Sequence, residues 1–423
     1  MLNNVEFQNW KSYKKSTLYF DPLTVLIGTN SSGKSNALDA LLLLKRLADG
    51  VMLKSALAGD QSIQGIRGGL EWACLKPSSE FTLSVVSGHN EDSNTEYHFS
   101  ITIGIHDNQP FIVNESLKRV KFRANSKKKP YQIWLYKTEP VSIDEPYITA
   151  KLYNEKRGTP RPSARGSSII SQLLSQKVRK EISEGINTIV NDLKNIFILD
   201  PIPSHMRSYT PLSENLETDA SNVAGVLAAL ELPEKQSLES TITEYVQHLP
   251  EKDIKKIYAE KVGKFGSDAM LYCDEDWKGG EEPHTIDARG MSDGTLRFIA
   301  IITALLTRPE KSTLIVEEID NGLHPSRANI LVKILKEISQ KRSIDILITT
   351  HNPTLLDEFG SEIVPFVTIA HRSQDSGESE LTLLEDIDSL PKLLASGPVG
   401  TLSSRGYLEA TLRNCGKMQI GEL

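Results

Sequence analysis

Cysteine is scarce in this chain: its three residues, Cys74, Cys273 and Cys415, lie far apart and show no metal-ligand spacing. That excludes a disulfide-stapled scaffold and a thiolate metal site, and fits ordinary thiols of a reducing cytosol. Long apolar runs are missing too. Near the start the longest is Ala40 to Leu44, far below the roughly 20 residues that a membrane span requires. Met1 to Trp10 lacks the basic-then-apolar pattern of an export signal, so a cytoplasmic protein with no membrane partner is expected. There is no excess of positive charge either. With a formal net charge of -7, any nucleic-acid contact has to come from a local basic patch. The absence of sustained heptads and internal repeats argues against a long coiled coil and against a solenoid. What remains, 39% apolar and 24% charged residues in a chain of 423, is the composition of a folded protein with room for two or three domains.

Against that background one stretch organises the rest. Gly28-Thr29-Asn30-Ser31-Ser32-Gly33-Lys34-Ser35-Asn36 lies between an apolar run, Leu23 to Ile27, and a helix-like run, Ala37 to Leu47. It fits Gly-x-x-x-x-Gly-Lys-Ser in the strand-then-helix context that a phosphate loop needs. Glycines at 28 and 33 let backbone N–H groups close around phosphate oxygens, while the following helix aims its positive end at them. Lys34 is expected at the β/γ-phosphates of a nucleotide such as ATP, and Ser35 at Mg²⁺.

Elsewhere in the first half, Val5-Glu6-Phe7 and Leu23 to Ile27 read as strands, with Lys11 to Ser16 and Asp21-Pro22 as turns, and Tyr13 or Phe20 as candidates to lie near a base. Gln61 and Gln64 are candidates to orient metal or water, though a solvated loop glutamine reads the same way. From Phe81 to Val113 apolar and polar residues alternate, which predicts antiparallel β-structure. That pattern continues to Lys137, where Lys118, Arg119, Lys121, Arg123 and Lys127 to Lys129 interleave with Phe122, Tyr131, Trp134 and Tyr136. Such a mixture suits a nucleic-acid backbone, or simply a solvated hairpin. A second basic stretch, within residues 156–165, reads as a loop. Helical spacing then predicts helix over Ile169 to Lys194 and over residues 221–262, with a strand at Ile196 to Leu199.

The second informative block starts at Met291-Ser292-Asp293-Gly294-Thr295, leading into an apolar helix. Ser292 and Gly294 at a helix start present a hydroxyl and N–H groups to an anion, although an ordinary helix cap looks alike. Next, Ser312 to Val316 forms an apolar strand ending in Glu317-Glu318. Two adjacent acids at that place suit a metal's water shell, for Glu317, and activation of an attacking water, for Glu318. A further strand, Ile344 to Ile348, ends in Thr349-Thr350-His351-Asn352. A histidine just past that strand end suits phosphate sensing and water positioning.

In this order, the phosphate loop, Ser-x-Gly helix start, acidic pair and histidine resemble the ABC-type ATPases of the SMC/RecF group. Gly28 to Asn36, Glu317-Glu318-Ile-Asp-Asn-Gly-Leu-His-Pro325 and Thr350-His351-Asn-Pro353 most resemble the prokaryotic AAA-type ATPases of OLD- and Septu-like anti-phage systems. Residues 200–207 and 219–222 look similar to the same subgroup. The resemblance implies an α/β P-loop NTPase with an ABC-type head, having a mixed sheet flanked by helices, an antiparallel β subdomain and an inserted mainly helical lobe. Residues 1–150 and 285–423 would form the head and residues 151–284 the lobe. It implies ATP and Mg²⁺ as ligands, catalytic roles for Lys34, Glu318 and His351, and nucleotide contacts from Gly28, Asn30, Ser31, Ser32, Gly33, Lys34, Ser35 and Asn36. Ser292 and Gly294 would reach the nucleotide of a second copy, Asn321 to His324 would cross the dimer interface, and Ser35 and Glu317 would hold the metal.

Partners implied are a second copy in a homodimer or higher oligomer, an effector such as a nuclease or toxin from a neighbouring gene, and DNA through residues 118–129 and 156–165. Two departures stand out: Met291-Ser-Asp-Gly-Thr295 replaces Leu-Ser-Gly-Gly-Gln, and Glu317 stands where Asp is common. An ABC transporter subunit would space Gly28 and Ser292 more closely than the roughly 260 positions here. An OLD-type nuclease needs a Toprim domain, which the roughly 70 residues after His351 are too few to form, so Asp386 and Asp388 read as a solvated strand end. A RecF-like clamp for DNA repair remains the alternative reading.

Overall fold

The computed structural model describes residues 1–89, 92, 94–122, 130–153, 158–247, 254–276, 283–321 and 327–415, the last of these without the side chains of 409 and 413–415. In chain order the strands are β1 (Leu2–Trp10), β2 (Tyr13–Tyr19), β3 (Leu23–Ile27), β4 (Glu80–Gly88), β5 (Thr95–His106), β6 (Gln109–Lys121), β7 (Tyr131–Thr138), β8 (Tyr147–Leu152), β9 (Thr159–Ala164), β10 (Ile196–Leu199), β11 (Thr210–Pro211), β12 (Ile254–Val262), β13 (Asp268–Glu275), β14 (His284–Asp287), β15 (Thr313–Val316), β16 (Asp345–Thr349), β17 (Val367–Arg372) and β18 (Ser379–Leu383). The helices are α1 (Lys34–Ala48), α2 (Leu53–Ala58), α3 (Ile169–Leu174), α4 (Lys180–Lys194), α5 (Val223–Ala229), α6 (Leu232–Gln247), α7 (Asp293–Thr307), α8 (Ala328–Arg342), α9 (Pro353–Glu358), α10 (Leu390–Leu394), α11 (Val399–Ser404) and α12 (Tyr407–Cys415).

Among the described residues fourteen strands form one mixed sheet in the order β10-β15-β16-β3-β17-β18-β2-β1-β4-β5-β6-β7-β8-β9. From β10 to β17 the neighbours are parallel. Such strands are covered on both faces, which is why Leu23 to Ile27 and Thr313 to Val316 are buried at every position. Alternate side chains then serve opposite layers: Val25, Leu314, Val316, Ile346 and Ile348 pack into one core, and Leu26, Ile315 and Leu347 into the other. Helices α7 and α8 supply the first layer, and α1 and α4 the second. Helix α7 is apolar nearly all round, as a helix buried against both sheet and neighbouring helices must be.

Beyond β18, which pairs antiparallel with β17 and parallel with β2, the sheet is an antiparallel wing, β2-β1-β4-β5-β6-β7-β8-β9. The alternation from Phe81 onward is the pattern of β4 and β5, whose residues are buried at every second position. The α/β P-loop architecture with a large mixed sheet, flanking helices and antiparallel β-structure is therefore as the sequence predicted.

Several local expectations are corrected. Lys11 to Ser16 is not a turn throughout, because Tyr13 starts β2 and pairs with Trp10 of β1. Buried Tyr13, Ser16 and Leu18 face inward while Lys14 and Lys15 remain in solvent. The helix expected over 169–194 is two helices broken at Ser175 to Arg179. Residues 254–262, expected to be helical, form β12, which pairs along its length with β13. Residues 151–284 are accordingly mixed rather than mainly helical: they contribute β9 and β10 to the main sheet and carry a small antiparallel sheet of β11, β12 and β13, extended by β14. Non-local pairing overrides weak helical spacing here. Asp386 and Asp388 lie exposed just beyond β18.

Candidate nucleotide site

Residues 28–33 join β3 to α1, and their shape comes from three left-handed residues: Gly28 at φ 146°, Ser31 at φ 64° and Gly33 at φ 119°. A Cβ on Gly28 would lie 2.2 Å from Ala370 O of β17. One on Gly33 would meet Ser379 Oγ at 2.6 Å and the Tyr13 hydroxyl at 2.8 Å. Both glycines thus answer packing beneath the loop as well as open backbone above it. Tyr13 OH donates to Gly33 O at 3.0 Å, and Arg372 Nε donates to Ser31 O at 2.9 Å. Tyr13 and Phe20 are both in the core, so the expectation that either lies beside a base is corrected; Tyr13 props up the loop instead. Asn36 is likewise turned to the rear, its amide donating to Ser12 Oγ at 2.8 Å.

Lys34 opens α1, which has no acid in its first turn to offset the positive helix end. Its ammonium folds back on the loop, donating to Gly28 O at 2.6 Å and Thr29 O at 3.1 Å. Burial lowers its pKa to about 8 against the opposing pull of Glu318. Inside the loop the Ser32 hydroxyl is buried with no hydrogen-bond partner among the described residues. A positive helix end, an ammonium on loop carbonyls and an orphaned hydroxyl are the donors an anionic phosphate would take up. Ser35 follows on the first turn of α1, where a hydroxyl suits a phosphate-bound divalent ion.

Across from the loop, β15 and β16 run in parallel register, so Glu317 and Glu318 emerge beside Thr349. The backbone N–H of Glu318 donates to Thr349 Oγ1 at 2.8 Å. Glu318 sits at φ 44°, a conformation costly for a side-chain-bearing residue and common where a site needs it. Thr29, Asn30, Glu318, Asp320, Asn321 and His351 line one cleft of about 480 Å³. Thr350 Oγ1 donates to Asp320 Oδ1 at 2.5 Å, fixing the approach to His351. Burial and the Lys34 charge lower the His351 pKa, while Glu318 and Asp320 oppose them, which favours the neutral imidazole.

Glu317 points the other way, into a neighbouring cavity of about 260 Å³ that also contains Asp39, Gln64, Arg67 and Asp200. Burial pushes its pKa up, Arg67 pulls it down, and Asp200 pushes it up again. Of the two glutamines considered, Gln64 lines this cavity. Sequence reasoning passed over Arg67, which reaches Glu317 from 250 positions away, and over Arg372 and Thr349. Nothing local marked them, since each acts on a partner remote in sequence.

Ser292 and Gly294 stand apart from this cleft. Ser292 is the N-cap of α7, accepting the Thr295 N–H, and Arg207 braces the same turn through Ala288 O, Arg289 O and Asp293. Of the segment Asn321 to His324, residues 322–324 lie outside the described residues, as do 123–129 and 156–157 of the two basic stretches.

Residues 1–159 match the family described as "AAA ATPase domain", and residues 274–357 match "AAA domain, putative AbiEii toxin, Type IV TA system". A similar curated protein is "ABC transporter G family member 22" of Dictyostelium discoideum, 35% identical over 75 residues; the match spans 18% of this chain and only 12% of that protein. Similar solved structures include an SMC head bound to the C-winged helix domain of ScpA (TM-score 0.49, 15% identity, 90% of this chain and 97% of that one). Others are the SMC head domain from Thermotoga maritima (0.42, 13%, 90% and 98%) and a Pyrococcus furiosus Smc head with an extended coiled coil bound to the C-terminal domain of ScpA (0.47, 13%, 93% and 98%). None reaches a TM-score of 0.5. Among the described residues no helix is long and apolar enough to cross a membrane. The two family matches cover the phosphate loop and the acidic strand, the parts that the sheet brings together, and the chain is a P-loop ATPase.

Proposed function

We propose that this ATPase binds Mg-ATP between two head-to-tail copies and uses its binding and hydrolysis to control an effector made by a neighbouring gene. The observation that carries this is the single cleft joining Thr29 and Asn30 of the phosphate loop to Glu318 and His351. Lys34, on the loop beside it, neutralises phosphate charge, and within it Glu318 takes the proton of the attacking water while His351 orients that water at the γ-phosphate. Ser35 and Glu317 would hold Mg²⁺, Glu317 from the adjoining cavity it shares with Arg67, and the ion would screen the phosphate charge.

Dimerisation is supported by the location of Ser292 and Gly294 outside the cleft of their own chain: Ser292 is exposed at the helix start, with Gly294 buried just behind it, and so is free to close the cleft of another copy. The likeness of residues 274–357 to a family of AAA domains that includes a putative AbiEii toxin of type IV toxin–antitoxin systems supports a defence role of the OLD or Septu kind. The nucleotide would then act as the switch that releases a nuclease or toxin. The composite site is tested by mixing Lys34→Ala and Ser292→Arg proteins, each inactive alone. A mixed dimer contains one site free of both changes, so ATPase activity returns in part. If mixed dimers form and no activity returns, the shared site is wrong. Copurification of a neighbouring nuclease or toxin would support defence.

A RecF-like DNA-binding reading draws on β6 and β7, where Lys118 and Lys137 lie 5.9 and 5.3 Å from the centre of the exposed Trp134 ring. Cations beside a stacking ring suit a nucleic-acid strand. A salt-sensitive, ATP-dependent DNA shift lost on Lys118→Glu with Lys137→Glu would favour this reading.

A further inference from the structure

Arg67 is held in two different ways, tightly by its main chain and loosely by its side chain. Ile66 N–H donates to Leu57 O at 3.0 Å and Gly69 N–H to Ile66 O at 2.9 Å. Lys11, whose ammonium is paired with buried Asp39 at 2.5 Å, also donates to Arg67 O at 2.7 Å. The backbone at Arg67 is thereby tied to α1, α2 and the end of β1. Its side chain, by contrast, is 55% exposed and reaches Glu317 through one terminal guanidinium nitrogen shared between both carboxylate oxygens, at 3.1 and 3.2 Å. A forked pair would use two nitrogens and hold harder.

The surroundings give this contact its purpose. Glu317, Asp39 and Asp200 face one small cavity, and half-buried carboxylates need a cation nearby. Lys11 serves Asp39, and Arg46, which also lines the cavity, donates to Ala56 O and Gln64 O, so the cation that reaches Glu317 is Arg67. Glu317 is the same carboxylate assigned above to the metal.

We propose that Arg67 is the resident counter-ion of Glu317 in the nucleotide-free protein, and that its side chain swings out as a divalent cation takes over the carboxylate. This rests on the assignment of Glu317 to the metal. Because the main chain is anchored, only the side chain moves, and Arg67 competes directly with the metal. The free protein thus keeps Glu317 neutralised without an ion, and the metal dependence of nucleotide binding is set partly by an arginine that touches neither nucleotide nor metal.

The test uses the full chain carrying Glu318→Gln, so that bound ATP is not consumed. Binding of ATP is followed while Mg²⁺ is titrated from a chelated start. Arg67→Gln is expected to lower the half-saturating Mg²⁺ concentration about two- to fivefold, the size of one part-exposed ion pair. Metal-free ATP binding should be unchanged, and Arg67→Lys should stay near the parent. An unchanged midpoint in Arg67→Gln overturns the proposal, and an increased one shows that Arg67 assists binding instead. Glu317→Ala separates the two layers of argument. If it leaves the Mg²⁺ midpoint at the parental value, the metal assignment itself fails; if it raises the midpoint while Arg67→Gln does nothing, only the exchange fails.

Discussion

Thr349 orients Glu318: its hydroxyl accepts the Glu318 backbone N–H at 2.8 Å, so the last residue of β16 sets the direction of an acid at the end of β15. The next residue repeats the link, with Ile319 N–H donating to Thr349 O at 3.1 Å. Together these hold Glu318 at φ 44°, where an unsupported residue would relax into an ordinary turn.

Glu318→Gln should therefore keep ATP binding and lower kcat by about 10²–10⁴, the usual contribution of a positioned general base. A variant that hydrolyses ATP at the parental rate would remove Glu318 from the chemistry. Thr349→Val, nearly the same shape but without the hydroxyl, leaves the Glu318 N–H unpaired at a cost of roughly 1–3 kcal/mol. Here kcat should fall about 10²-fold through misplacement, with KM little changed. Single-turnover kinetics on both variants separates loss of the base from its misdirection.

Lys34 predicts a pH dependence. Its pKa in the free protein is lowered to about 8, so above that pH the amine is increasingly neutral and attracts phosphate less. ATP affinity should be full below about pH 8 and decline above it. Bound phosphate favours the charged amine, so binding above that pH should take up protons. Calorimetry in buffers of different ionisation enthalpy measures that uptake directly. Lys34→Arg, whose charge persists, should show neither the decline nor the uptake, and Lys34→Ala should lose tight binding altogether.

Gly28→Ala tests the packing beneath the loop. Its Cβ would lie 2.2 Å from Ala370 O, a backbone atom that cannot swing aside, and φ 146° adds strain. A loss of about 1–3 kcal/mol in stability is expected from overpacking alone, read as a lower denaturant midpoint, together with weakened ATP binding. Parental stability and binding would mean that the loop tolerates a side chain there.

Much of the candidate site was legible because its elements are short and local. Gly28 to Ser35, Glu317-Glu318 and His351 each stand at the end of a strand whose unbroken apolar run betrays burial on both faces. The two acids were readable as a pair. Their separation into different cavities was not, because it follows from the pleat of β15 continuing into a turn. Tyr13 looked like a base-stacking ring in the sequence and became a prop for Gly33, since pairing of β2 with β1 decides which way it faces. Residues 254–262 looked helical in isolation and became a strand, since β13 was available to pair with them.

By itself, the sequence determined the nucleotide chemistry: a loop of glycines, a lysine and a hydroxyl opening a helix can be recognised wherever it occurs, because it works through backbone atoms and neighbours in the chain. Only the tertiary structure decided which charges meet. Lys11 with Asp39 and Arg67, Arg67 with Glu317, Arg372 with Ser31 and Thr349 with Glu318 all join segments distant in sequence. The reason is physical: the parallel sheet places strand ends side by side regardless of their order in the chain, and long side chains then settle on whichever partner that arrangement puts within reach.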